Sequence, residues 1–168
     1  SRNRFRGSEG ILFMAEIVGS NHHVRDIEWS NNPVGNVADM KQLCSSMTSN
    51  PSSLEKNIEI SESFDGNDPE MLQTILTSCQ SGVMNLFLVE NGVGSRGVCH
   101  IAKFLATNPH LKVLSLEEND LTDGDVEVLA NALRSNTNLR TLKLDDDRIT
   151  EVGGNHLIRA IFNTTNLN

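Results

Sequence analysis

Residues 111 to 121 read Leu111-Lys-Val-Leu-Ser-Leu-Glu-Glu-Asn-Asp-Leu121, with apolar side chains at Leu111, Leu114, Leu116 and Leu121. The same set stands 28 residues earlier as Val83, Leu86, Leu88 and Val93, and 28 residues later as Leu139, Leu142, Leu144 and Ile149. A fixed period of this size is the mark of one supersecondary unit stacked on copies of itself, a solenoid. A single unit cannot bury its own apolar face, so neighbouring units shield one another.

The second half of each unit places apolar residues at i, i+3, i+4 and i+7, the spacing of one helix face. The stripes are Val98, Ile101, Ala102, Leu105; then Val126, Leu129, Ala130, Leu133; then Gly154, Leu157, Ile158, Ile161. Weaker copies precede them: Ile11, Met14, Ala15, Val18; Met40, Leu43, Cys44, Met47; and Leu72, Ile75, Leu76, Cys79. Six helices follow from these stripes. Thr122 and Thr150 stand before two of them, where a hydroxyl caps free N–H groups. Strands are expected over 24–30, 57–61, 86–89, 113–116 and 141–144. The units then run 1–23, 24–53, 54–82, 83–110, 111–138 and 139–166 within a single array covering 1–168.

The pattern Leu-x-x-Leu-x-Leu-x-x-Asn-x-Leu resembles the leucine-rich repeat. The unit length and the helical second half are similar to the ribonuclease-inhibitor-like subclass. Asn32, Asn91 and Asn119 occupy the asparagine position, with Ser63 and Asp147 as departures. Gly97 and Gly153 match the subclass's glycine before the helix; the unit between them has Gly124 one place early and Asp125 in register. The resemblance implies an α/β horseshoe arc with a parallel sheet inside and helices outside. It implies that the asparagine amides bind backbone groups within and between repeats. It also implies a protein partner on the concave strands, with no enzymatic activity and no cofactor. The rival implication is a sensor or regulatory region of a larger signalling protein, such as a nucleotide-binding receptor or a small-GTPase activator.

Composition narrows the partners. Lys and Arg number 14 against 22 Asp and Glu, a formal net charge of −8. Phosphate contacts come from clustered Lys and Arg, so this balance disfavours nucleic acid and anionic membrane. Arg2, Arg4 and Arg6 form one basic cluster, read as a solvated edge. No run approaches the roughly 20 apolar residues of a membrane span. The three cysteines are an odd count without a Cys-x-x-Cys pair. Cys44 and Cys79 fall on helix stripes and Cys99 lies beside one, so they read as packed thiols in a reducing, cytoplasmic setting. The Asn163-Thr-Thr acceptor points the other way, on a motif that often arises by chance. The chain starts inside a unit at Ser1 and stops just after Leu167 opens another, so a fragment of a longer array is expected.

Stacking turns sequence positions into columns on the concave face. The residue after each strand gives Asn31, Glu62, Glu90, Glu118 and Asp146, four of them acidic. The column before it holds Ser30, Ser61, Val89, Glu117 and Asp145, and the next outward column holds Glu28, Glu59, Phe87, Ser115 and Lys143. Carboxylates stacked about 4.8 Å apart raise a negative potential, which steers a basic protein surface toward them. The candidate partner-binding set is therefore Glu59, Glu62, Phe87, Val89, Glu90, Glu117, Glu118, Lys143, Asp145 and Asp146. Phe87 and Val89 are its apolar anchors. Trp29 falls in the inward register of Leu88, Leu116 and Leu144 and is assigned to the core.

Three motifs invite other readings. Gly92-Val-Gly-Ser-Arg-Gly97 matches the dinucleotide fingerprint G-x-G-x-x-G between a strand and a helix. The corresponding stretches 120–125 and 148–153 lack the glycine set, and Gly97 already has a place in the repeat, so we read it as structural. The stretch 119–124 resembles a calcium loop but has Leu121 at a ligand position and Ala130 where a bidentate Glu belongs. Asp145, Asp146 and Asp147 do not face one point. The histidines His22, His23, His100, His110 and His156 show no zinc spacing, and no nucleophile stands with a base.

Overall fold

The computed structural model describes residues 7–21, 23–48, 56–80, 82–145 and 148–165, and side chains as far as Ile161. Strand and helix alternate along the chain: α1 (Gly7–Ser20), β1 (Asp26–Ser30), α2 (Val37–Thr48), β2 (Lys56–Ser61), α3 (Pro69–Ser78), β3 (Val83–Phe87), α4 (Ser95–Ala106), β4 (Val113–Ser115), α5 (Asp123–Leu133), β5 (Thr141–Lys143) and α6 (Glu151–Thr165). The strands form one parallel sheet in chain order, β1-β2-β3-β4-β5. Each helix packs beside the next.

Register follows the period. Ile27, Ile58, Leu86, Leu114 and Leu142 lie side by side on one face of the sheet. Ile27, Ile58, Leu86 and Leu114 are buried, as are Trp29, Ile60, Leu88 and Leu116 in the neighbouring row. The helix stripes close over this face, so Leu72, Ile75, Val98, Ile101, Leu105 and Leu129 are buried too. The expected spine is present. Toward the last unit it thins: Leu142 and Leu144 are only partly buried, and Ile158 is 52% exposed despite its place on the stripe.

Strand ends shift by a few residues from expectation. β3 starts at Val83 and stops at Phe87, leaving Val89 in the turn, because the backbone reverses at Glu90 through a positive φ of 54°. One irregularity interrupts the ladder between Lys56 and Asn57, where β2 and β3 slip by a residue. It coincides with the units whose lengths depart from 28. Lys56 is buried there and its ammonium donates to the Thr48 carbonyl at 3.2 Å.

The asparagine column ties unit to unit. Asn91 Oδ1 accepts from the Ser63 N–H at 3.0 Å, while its Nδ2 donates to the Ile60 carbonyl at 2.7 Å. Asn119 repeats the arrangement one unit on, accepting from the Asn91 and Val93 N–H groups and donating to the Leu88 and Leu116 carbonyls. An amide alone among neutral side chains both accepts and donates twice, which is why the column holds it. Ser63 has one hydroxyl, which donates to the Ser61 and Trp29 carbonyls and accepts the Asn32 N–H at 3.4 Å. Asp147 lies outside the described residues.

Helix starts are also fastened across units. Asp123 accepts from the Thr150 and Gly153 N–H groups at 2.8 and 3.0 Å, so the start of α5 caps the start of α6. Thr150 Oγ1 itself accepts the Val152 N–H at 3.2 Å. At α5 the Asp125 carboxylate takes both the N–H and the hydroxyl of Thr122, which accounts for Asp rather than Gly at that register position.

Candidate functional site: the concave face

The concave face is built from alternate strand residues. Asp26, Asn57, Asn85, Val113 and Thr141 make one transverse row, and Glu28, Glu59, Phe87, Ser115 and Lys143 make the next. Pleating sends these side chains away from the core while their neighbours fill it. An amide ladder organises the first row: Asn57 Nδ2 donates to the Asp26 carboxylate, and Asn85 Nδ2 donates to Asn57 Oδ1 at 2.6 Å. Between the two rows lies a hollow lined by Asp26, Glu28, Asn57, Glu59, Asn85 and Phe87.

Two halves of this face differ electrostatically. On the β1–β2 side, Asp26 and Glu28 are exposed, and the partly buried Glu59 accepts the Ser61 hydroxyl at 3.0 Å. On the β4–β5 side, Glu117 accepts the Ser115 hydroxyl at 2.6 Å and pairs with the Lys143 ammonium at 3.4 Å. The Ser115 hydroxyl, with Lys143 after it, holds the Glu117 carboxyl below its ordinary range. The same ammonium lies 5.9 Å from the centre of the Phe87 ring, within cation–π reach. The chain therefore supplies a cation of its own to Glu117, while Asp26 and Glu28 at the other end of the face stay exposed.

The turns that follow the strands carry the remaining acids. Asn31, Glu62, Glu90 and Glu118 have φ of 57°, 48°, 54° and 54°, all in the left-handed region. Each is exposed, so their side chains form a rim above the strand ends. Asn31 Nδ2 donates to Glu62 Oε2 at 2.6 Å. L-residues other than Asn or Asp enter this region at a cost of about 1–2 kcal/mol.

Of the residues singled out from sequence, Glu59, Phe87 and Lys143 share one row, and Val89, Glu117 and Asp145 fall at or just past the strand ends. Phe87 and Val89 are half-buried, and Asp145 is exposed. Glu62, Glu90 and Glu118 lie on the rim. Asp146 lies outside the described residues. Sequence reasoning passed over Asp26, Asn57 and Asn85, whose row only the sheet register reveals. It also missed the left-handed turn column, although Asn31 at its head is a residue type that adopts this conformation readily.

The glycine run between β3 and α4 serves the backbone. Gly92 has φ of 66°. Gly94 donates its N–H to Asn67 Oδ1 at 3.1 Å, and Asn67 Nδ2 donates to the Gly92 carbonyl at 2.7 Å. A Cβ on Gly97 would collide with the Gly66 carbonyl oxygen. Each glycine thus answers to the preceding unit. No helix among the described residues is long and apolar enough to cross a membrane.

No protein-family model and no curated protein matches this chain. Among solved structures it is similar to leiomodin-1 actin-binding site 2, with a TM-score of 0.66 at 15% identity, covering 91% of this chain and 90% of that one. At such identity the likeness is one of fold, and with the parallel sheet and alternating helices it establishes an α/β leucine-rich-repeat solenoid.

Proposed function

We propose that the chain is a non-enzymatic recognition module of the ribonuclease-inhibitor-like subclass, working in the cytoplasm. It holds a protein partner with a Lys/Arg-rich surface on its concave face. The observation that carries this reading is the left-handed rim. Three units spend a strained backbone position on glutamate, where Asn or Gly would sit with less cost. Strain retained at exposed carboxylates suits a surface selected for what it meets.

The contact set is Glu59, Glu62, Phe87, Glu90 and Glu118, extended by Val89, Glu117, Lys143, Asp145 and Asp146. A cationic side chain entering the hollow beside Phe87 finds the carboxylates of Glu28 and Glu59 on one wall and an aromatic face on the other. On the C-terminal half Glu117 is already paired through Lys143, and the exposed Glu118 carries the charge that the partner meets. The similar leiomodin-1 structure is named for actin binding, which supports protein binding as a use of this architecture. A preformed face needs little ordering on association.

The test is an affinity capture repeated with a Glu90→Lys, Glu118→Lys double variant. Basic partners retained by the native chain are expected to be lost. Partners retained equally by both would sink the reading.

A further inference from the structure

The amides in the first concave row are not free to turn. Asp26 is a carboxylate and only accepts, so Asn57 presents Nδ2 to it. Asn57 Oδ1 then faces β3 and also only accepts, so Asn85 presents its own Nδ2, at 2.6 Å. A carboxylate on β1 thereby sets the orientation of an amide two strands away. The ladder ends on Asn85 Oδ1, an acceptor, two residues before Phe87 on the same face of β3. Val113, beside Asn85 on β4, has no side-chain donor to meet it.

The hollow bordered by this row holds about 340 Å³, near the low end of the roughly 300–1,000 Å³ of ligand pockets, which is room for one side chain. Asn57, Glu59, Asn85 and Phe87 form its wall on β2 and β3, and each of these strands has a neighbour on both sides. Glu59 lies directly across from Phe87 and spends Oε1 on the Ser61 hydroxyl, with Oε2 left over. Among the described residues the ion pairs are Lys143–Glu117 and Arg148–Asp120, and neither involves a carboxylate of the hollow. The Phe87 ring already accepts one cation, since the Lys143 ammonium reaches it from the β5 side at 5.9 Å. The hollow lies on the β2 side of the same residue.

On the reading of a basic partner, on which this rests, we infer that the hollow receives one arginine side chain and discriminates against lysine. Neighbouring strands are about 4.8 Å apart, so Glu59, Asn85 Oδ1 and the Phe87 ring stand at three separate corners. An ammonium is a compact point charge that a single carboxylate satisfies. A guanidinium is flat and carries five N–H donors in a fork. Laid against the ring, it reaches Glu59 with one edge and Asn85 Oδ1 with the other. The exposed Glu28 carboxylate stands beyond for the remaining donors.

Side-chain amide NMR of the 168-residue chain reads the outcome, with acetyl-Gly-Arg-Gly-amide and acetyl-Gly-Lys-Gly-amide as probes. The arginine peptide should move the Asn57 and Asn85 Nδ2 resonances saturably and bind at least about tenfold more tightly than the lysine peptide. Asn85→Ala should lower arginine to the level of lysine and leave lysine unchanged, with the rest of the backbone spectrum intact. Phe87→Leu keeps an apolar side chain without the ring and should weaken the arginine peptide about fivefold. Equal affinity for the two peptides, an arginine preference that survives Asn85→Ala, or shifts confined to the rim turns overturns the proposal. Basic partners lost by the Glu90→Lys, Glu118→Lys variant, with Asn85 unmoved by the arginine peptide, would end the socket and keep the basic partner. A selective arginine shift with those partners retained by the rim variant would end the partner reading and keep the socket.

Discussion

Asn119 reaches across one repeat to hold the backbone of Asn91: its Oδ1 accepts the Asn91 N–H at 3.1 Å, and Asn91 repeats the grip on Ser63 at 3.0 Å. Both asparagines are buried. Replacing Asn119 with Ala strands the Asn91 and Val93 donors and the Leu88 and Leu116 carbonyls without water to replace the amide. Urea unfolding of Asn119→Ala should show a loss of about 3 kcal/mol. A loss under about 1 kcal/mol would mean the column carries little of the array's cohesion.

Gly97 and Gly124 make a contrasting pair. A methyl at Gly97 meets the Gly66 carbonyl, fixed backbone that cannot swing aside, whereas at Gly124 the nearest atom is Thr122 Oγ1 at 3.9 Å. Gly97→Ala should destabilise by about 2–3 kcal/mol. Gly124→Ala, inside α5, should stabilise by about 0.5–1 kcal/mol through helix propensity. Thermal unfolding of the two variants side by side checks the sign.

The rim glutamates set stability against recognition. Glu90→Asn places a residue tolerant of φ near 54° in the turn and should raise stability by about 0.5–1 kcal/mol. The same variant should weaken capture of basic partners. Denaturant midpoints and partner retention, measured on one preparation, are expected to move in opposite directions.

Acid should loosen the β4–β5 side. The folded Glu117 carboxyl lies below its ordinary value of 4.5, chiefly through the Ser115 hydroxyl. Its stabilising contribution is present above that value and is lost as pH falls through the folded one. Asp123, lowered first by the Thr150 hydroxyl, acts in the same direction from 3.8 downward. Carbon-detected NMR titration should place the Glu117 midpoint below an ordinary glutamate, and Ser115→Ala should move it back up. An unmoved midpoint in the variant would remove Ser115 as the cause.

The cysteines should separate by reactivity. Burial raises the Cys44 thiol to about 11, and it raises Cys79 further, with the neighbouring Cys44 adding to the effect. Cys99 is exposed. A thiol reagent at mildly alkaline pH should label one cysteine in the folded chain and three after unfolding.

The repeat itself was legible because solenoid packing is local. Each unit touches only its neighbours, so a period in Leu and Val translates directly into Leu88 over Leu116, and Asn91 beside Asn119. Candidate columns followed from that period without coordinates, and Phe87 and Lys143 do share a row. What the linear order left open was set by contacts between units. The slip at Lys56 comes from one extra residue in β3, Met84, which the step from Lys56 to Asn57 in β2 does not match. The left-handed turns at Glu62, Glu90 and Glu118 come from reversing the chain at each strand end. The neutralisation of Glu117 depends on where Lys143 falls one strand away. Periodicity in sequence determines which residues are equivalent; only packing in three dimensions decides which of those equivalents is covered, strained or charged, because these depend on what lies across the junction.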